Sequence, residues 1–158
     1  MYNLFENLKT EIEKLHKKHE LSKSITPDYF EPGMMEYLDK YEGLFDEVSK
    51  SITIRFDARG TRYDGRTEHI EKVKIGDTII VVRDTNNQFN PNNFALLTAK
   101  GRNVGNMPAE LCNAIAPLYD SGQLKIKEAT ASYVEPISKR HRYAKQAVLF
   151  VELKCKII

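Results

Sequence analysis

No apolar run in the 158-residue chain approaches the length of a membrane span, which excludes a transmembrane helix. The opening Met1-Tyr2-Asn3-Leu4-Phe5-Glu6 has no basic stretch followed by an apolar core, and no secretory signal is expected. Cysteine is scarce: Cys112 and Cys155 stand alone and far apart. Without a CxxC pair they cannot build a cysteine-rich zinc site, and nothing points to an oxidising compartment. The expected location is the cytoplasm, with both thiols reduced. A glycine-rich phosphate loop, HExxH and GxSxG are also missing, so the sequence carries none of these catalytic signatures. Catalytic residues, cofactors and metals are accordingly not expected.

What is present describes a soluble folded chain. Hydrophobic residues make up 41% and charged residues 29%, with a mean hydropathy of −0.49, outside the range of disordered sequences. The net charge of +2 says little about partners, but it hides a split. Residues 1–50 carry 7 basic and 11 acidic side chains, net −4, whereas residues 51–158 carry 17 and 11, net +6. An acidic first third is joined to a basic remainder.

Periodicity divides the chain at the same place. Leu4, Leu8, Ile12 and Leu15 form one stripe of a helix over 3–20. Thr26-Pro27 and Pro32-Gly33 break it, and a second helix is expected from about Met34 to Lys50, with Tyr37, Leu38, Tyr41, Leu44, Phe45 and Val48 on its apolar face. From Ser51 the period becomes two: Ile52, Ile54 and Phe56 alternate with Thr53, Arg55 and Asp57, a half-buried strand. Ile79-Ile80-Val81-Val82 reads as a buried strand and Phe94 to Ala99 as another. A Lys100-Gly101-Arg102-Asn103 turn follows. Asn106 and Pro108 suit an N-cap and an early helical proline for a helix striped by Leu111, Ile115 and Leu118 and ended by Gly122. Strands over about 124–134 and 146–157 close the chain. Two units are expected, a helical segment over 1–50 and a mainly antiparallel β domain over 51–158 that favours a small barrel or partly open sheet.

Several segments carry groups with chemistry. Arg83-Asp84-Thr85-Asn86-Asn87-Gln88-Phe89-Asn90-Pro91-Asn92-Asn93 packs five asparagines into eleven residues. Asparagine amides bond local backbone groups, so this is either a structured turn or a polar rim around the aromatic face of Phe89. Arg62-Tyr63, an Arg beside an aromatic, suits a phosphate contact next to a stacked base, or a surface pair covering the end of the barrel. Lys139-Arg140-His141-Arg142-Tyr143-Ala144-Lys145 sets four fixed positive charges and one titratable group in seven residues. That is either a solvated hairpin tip or a nucleic-acid contact. His16 and His19 have a helical spacing that suits a metal but no partner ligand nearby, and read as surface features. Asp57, Asp64, Asp77 and Asp84 would make a metal-dependent nuclease if they converged on one ion.

Taken together, Gly60-Thr61-Arg62-Tyr63, Gly76-Asp77, the Val82 to Asn92 segment and Val104-Gly105-Asn106-Met107-Pro108 leading to Leu111 resemble a HIRAN domain. The family pattern runs roughly G-x-R-Y, then R-[DE]-P-x-N-x-[YF]-D-x-N-A, then a hydrophobic residue, glycine, a polar residue and a helix. Arg83 to Gly105 fits it without a gap. The resemblance covers about residues 52–158 and leaves 1–50 unexplained. It implies an α+β, mainly β fold: a small OB-like antiparallel β-barrel with a flanking helix, here preceded by the N-terminal helical pair. It also implies single-stranded DNA binding linked to DNA repair or replication, in a pocket that captures a free 3′-hydroxyl end in the best-understood member. Carried over by like residues are Arg62, Tyr63, Asn87 and Phe89. Tyr63 and Phe89 would stack on bases, at about 1–3 kcal/mol each, and Arg62 would hold a phosphate or stack on a base. The family proline stands here as Thr85, and the aspartate that accepts the terminal hydroxyl proton as Asn90. The histidine after the glycine is Asn106, and a basic residue is Ala109. An amide carbonyl still accepts, but a charge-assisted bond is lost, which leaves 3′-end selection open.

The leading expectation is a non-catalytic module whose partner is single-stranded DNA. The residues assigned to the nucleic acid are Arg62, Tyr63, Arg83, Asn87, Phe89, Asn90, Asn106, Lys139, Arg140 and Arg142, with Lys100 and Arg102 attracting the backbone. The alternatives are a protein-interaction or homodimerisation module acting through the N-terminal helices, and the nuclease.

Overall fold

The computed structural model describes residues 45–46 and 48–158, with side chains from Val48 onward. The first expected helix, most of the second, and His16 and His19 lie outside the described residues. The C-terminal end of the second helix is different from expectation: Phe45–Asp46 form a short strand, β1, paired with Ile52 and Ser51, and residues 48–50 are a turn closed by Lys50 at φ 55°. A left-handed residue followed by the alternating strand cannot continue a helix.

β2 (Ser51–Asp57) buries Ile52, Ile54 and Phe56 and turns Thr53, Arg55 and Asp57 outward, as its period of two dictates. It pairs antiparallel with β7 (Val148–Ile157), which pairs in turn with β6 (Leu124–Glu135), giving a four-stranded sheet in the order β1-β2-β7-β6. Two register shifts in β6, at Ile126/Glu128 and Ala131/Tyr133, mark irregularities of the kind that bend a strand. A second, three-stranded sheet contains β3 (Ile79–Asp84), β4 (Asn93–Thr98) and β5 (Asn103–Asn106). A short helix, α1 (Arg66–Ile70), that sequence periodicity does not reveal packs on β5, and α2 (Ala109–Asp120) packs against β4 and β6. Between them the core holds Phe56, Ile54, Phe94, Leu96, Met107, Leu111 and Ile115, all essentially inaccessible to solvent. Each large apolar side chain so buried contributes about 1.5–3 kcal/mol.

The expected barrel does not close. Among the described residues the two sheets are linked by isolated bridges, Arg59 with Asn106 and Thr78 with Thr130, and not by a continuous ladder. α2 contributes its buried face of Leu111, Ile115 and Leu118 to the core they share. The architecture is two antiparallel sheets with few helices. Ile79 to Val82 form a strand, but not a buried one. Its side chains alternate, so Ile79 and the partly buried Val81 face the core while Ile80 and Val82 stand on the uncovered face. Asn106 does not cap α2. It ends β5, and Pro108 occupies the cap position with extended backbone and no side-chain bond. Gly122 stops the helix as expected, at φ 78°. Its N–H donates to Tyr119 O and that of Gln123 to Leu118 O, a Schellman closure.

Candidate nucleic-acid interface

The chain turns sharply where β2 runs out. Arg59 exchanges both backbone hydrogen bonds with Asn106 (2.8 and 2.9 Å), which ties the start of the Gly60-Tyr63 turn to the end of β5. This approach requires Gly105: its φ is 137°, and a Cβ there would stand 2.8 Å from Arg59 O and 3.2 Å from the Ala58 Cβ. Thr61 is buried and fixes the turn from within. Its hydroxyl donates to Ala147 O (2.9 Å), and its carbonyl accepts from the Thr67 hydroxyl (2.7 Å). The neighbouring side chains are thereby pushed outward. Tyr63 is 53% exposed, and the Arg62 guanidinium lies over its ring, 4.9 Å from the centroid. A Cβ on Gly60 would meet Arg66 Nη1 at 2.8 Å, Asn106 Nδ2 at 3.5 Å and the Tyr63 ring at 3.8 Å, so all three side chains flank Gly60. The sequence-predicted Arg62, Tyr63 and Asn106 therefore share one corner.

The asparagine-rich segment is a structured loop and a polar rim at once. Asp84 is its hub. One carboxylate oxygen accepts from Asn87 Nδ2 (3.3 Å) and from the buried Asn93 Nδ2 (3.1 Å), and the same Asn93 nitrogen donates to Asn106 Oδ1 (3.0 Å). Asn87 Oδ1 accepts from the backbone N–H groups of Phe89 and Asn90 (both 3.0 Å). One continuous chain of hydrogen bonds thus runs from the Tyr63 corner, through Asn106, Asn93, Asp84 and Asn87, to the loop tip. There Phe89 stands 86% exposed, its ring open to solvent. Asn90 uses both ends of its amide internally: Oδ1 accepts from Asn92 N (3.0 Å) and Nδ2 donates to Asn113 Oδ1 (3.1 Å), which Asn92 Nδ2 also reaches (3.1 Å).

The basic loop between β6 and β7 borders the same corner through Ala147. Its first residues are anchored to α1's end, where Glu71 accepts from the Ser138 N–H (3.0 Å) and hydroxyl (2.9 Å). Arg140 is a brace: Nε lies 3.1 Å from Glu135 Oε1 and Nη1 donates to Gln146 O (2.8 Å). Lys139, Arg142 and Lys145 remain exposed, and Arg142 covers the ring of the exposed Tyr143 at 4.8 Å.

Arg83 is not at the surface of this face. Its fork closes on Asp120 with two bonds of 2.9 Å, and Nη1 donates to Pro91 O (2.8 Å) and Asn93 O (3.1 Å), leaving the side chain 12% exposed. The hydrogen bond from Arg83 holds the Asp120 carboxyl below its ordinary range, and Asp120 raises Arg83. Lys100 and Arg102 lie at the turn closing the other end of the β4–β5 hairpin, one strand length (about 17–20 Å) from Asn93 and Asn106. The four aspartates are engaged separately. Asp57 pairs with Arg59 (2.9 Å), Asp64 stands 4.0 Å from Arg66, Asp77 accepts from Lys74 N (2.9 Å), and Asp84 serves the amides. They do not converge on one point, and no group of three His, Cys, Asp or Glu suited to a metal occurs among the described residues. Sequence reasoning missed Thr61, Arg66 and Asn113. A threonine or a single helical asparagine carries no local signal of a partner 86 or 23 residues away.

Solved structures similar to the chain include the HIRAN domain of human HLTF, at 21% identity over 68% of this chain and 81% of that one, with a TM-score of 0.48. A protein from Lactobacillus plantarum matches at 17% identity over 66% and 95%, with a TM-score of 0.49. The HLTF HIRAN domain in its DNA-bound conformation matches at 20% over 66% and 75%, with a TM-score of 0.44. No curated protein matches. The model of the HIRAN domain family matches residues 52–153, from the first core residue of β2 to the buried Leu153 of β7, and the chain belongs to that family.

Proposed function

We propose that this HIRAN domain is a non-catalytic module that binds single-stranded DNA, on the face framed by Arg62, Tyr63, Asn87, Phe89, Asn90 and Asn106. The observation that carries the reading is the corner itself. An Arg-covered, half-exposed Tyr63 and the Asn106 amide both flank Gly60, and a hydrogen-bonded chain links that amide to the loop presenting Phe89. Exposed rings offer stacking that tolerates any base. Lys139, Arg142 and Lys145 supply charge for the sugar-phosphate backbone, and Arg140 shapes the loop that carries them. The HLTF HIRAN domain, a member of the same family, has a DNA-bound conformation, which supports the ligand class. Service in DNA repair or replication, and the end of the strand that is bound, extend the same proposal.

Titration of fluorescent single strands at two salt concentrations tests it. Wild-type binding weakens as salt rises, because displaced counterions are part of the driving force. Tyr63→Ala with Phe89→Ala lowers affinity by about 10-fold or more, from stacking of about 1–3 kcal/mol per base. No binding at low salt, or a double variant that binds like wild type, rejects the reading.

A further inference from the structure

The base of the Tyr63 corner holds a cation that the single-strand reading does not use. Arg66, the first residue of α1, is only 14% exposed. Nη1 donates to Gly60 O (3.1 Å) and flanks Gly60 beside the Tyr63 ring and the Asn106 amide, 2.8 Å from where a Cβ on that glycine would stand. Its Nε is buried without a hydrogen-bond partner, and Asp64, 4.0 Å from Nη2, carries an 84% exposed side chain. A guanidinium this enclosed, with an unsatisfied N–H and one distant, solvated carboxylate, is short of acceptors.

The amides around it point the same way. Asp84 is a carboxylate and only accepts, so Asn87 and Asn93 must turn their NH₂ groups toward it. Asn93 Nδ2 also donates to Asn106, so Asn106 must present its oxygen inward and its NH₂ toward Gly60. That Nδ2 has no partner among the described residues, and neither does the Arg62 guanidinium, apart from its stacking on Tyr63. Asn90 Oδ1 is occupied by Asn92 N and Asn87 Oδ1 by two backbone N–H groups. The polarity set by Asp84 thus leaves the corner lined with donors: Arg62, Arg66 and Asn106 Nδ2.

We infer that the corner beside Gly60 is a phosphate pocket, in which Arg66 and Asn106 favour a strand ending in a phosphate monoester over one ending in a hydroxyl. The inference rests on the single-strand reading and names the end chemistry of the same site. A phosphate monoester brings only acceptor oxygens and up to two negative charges, which match the donors of Arg62, Arg66 and Asn106. A hydroxyl brings a proton for which the corner offers only the outlying, solvated Asp64 carboxylate.

Short oligodeoxythymidine strands of one length, bearing a 3′-phosphate, a 5′-phosphate or hydroxyls at both ends, are titrated at constant ionic strength. The wild-type protein is expected to bind one of the phosphorylated strands about tenfold more tightly than the unphosphorylated one, as one added charge-assisted hydrogen bond implies. The two phosphorylated arms identify which end enters. Asn106→Asp keeps an oxygen for Asn93 while replacing the outward NH₂ by a negative oxygen, so the ratio of affinities falls to one or inverts. Arg66→Gln lowers the same ratio, and thermal melting verifies the fold of both variants. Equal affinities for all three strands, or an Asn106→Asp variant that keeps the wild-type ratio, overturn the inference while leaving single-strand binding standing. Failure of every strand to bind overturns both.

Discussion

At the scale of single residues, side chains of one type have been given opposite tasks by their neighbours. Arg62 and Arg83 both read as contacts for a nucleic acid, yet Arg83 spends its donors on Asp120, Pro91 and Asn93, while Arg62, among the described residues, stacks on the ring of Tyr63. Asp84 reads as a metal carboxylate and is instead the acceptor that orients Asn87, Asn93 and, through Asn93, Asn106. Gly105 is the residue whose identity is most tightly dictated, since a Cβ would meet the Arg59 carbonyl at 2.8 Å. Gly105→Ala is expected to lower unfolding free energy by about 1–3 kcal/mol from the positive φ alone, with the clash adding to it. Gly101, also at positive φ but with nothing within 4 Å of its would-be Cβ, is the control. Urea denaturation of both variants decides the point: if Gly105→Ala costs no more than Gly101→Ala, the close approach of β5 to Arg59 is not real.

At the scale of elements, the Arg83–Asp120 pair joins the end of β3 to the last turn of α2 and fastens the asparagine loop beneath it. The Asp120 side chain is 49% exposed, so the pair is worth only about 0.2–1 kcal/mol, but it has a pH signature. The folded carboxyl is depressed by Arg83, so its stabilisation is complete above the unfolded aspartate value of about 3.9. It is lost as pH falls through the lower folded value. Urea midpoints measured from neutral pH down to about 3 should therefore fall less for Asp120→Asn than for wild type across that acid window. Parallel acid limbs would show that the pair does not contribute. β2, β3, β4, β6, β7 and α2 were legible from period, β-branched runs and the Gly122 stop, because these are local properties of a few consecutive residues. β1 was not, because its pairing with Ile52 and Ser51 is a contact between strands, and α1 was not, since five residues hold too few turns to show a period. Nor was the half-exposure of β3, because an uncovered sheet face depends on what packs against it.

At the scale of the whole molecule, both cysteines end in the interior. Burial pushes the Cys112 thiol up to about 11 and that of Cys155 to about 12. At neutral pH both are protonated and enclosed, so a thiol-specific reagent such as DTNB should modify neither in the folded protein and both once urea unfolds it. Rapid modification under native conditions would contradict the burial. Because the unfolded thiols ionise first as pH rises, stability should also decline above about pH 8.5.

The residues of the candidate interface come from the end of β5 and from loops that leave two different sheets, and their convergence is a tertiary fact. The sequence by itself determined the mainly β class of the family region, the alternating strand that starts at Ser51, and the family pattern from Gly60 to Pro108. Each of these is encoded in side-chain type and in spacings that the backbone geometry converts directly into one face or one turn. Only the tertiary structure decided that two sheets form without closing, that Arg83 turns inward while Arg62 does not, and that Thr61, Arg66 and Asn113 belong beside residues already suspected. Those outcomes depend on pairings such as Thr61 with Ala147 and Arg59 with Asn106, made across 86 and 47 positions of sequence. No local preference records them, because the free energy of each contact exists only once both partners have been brought together.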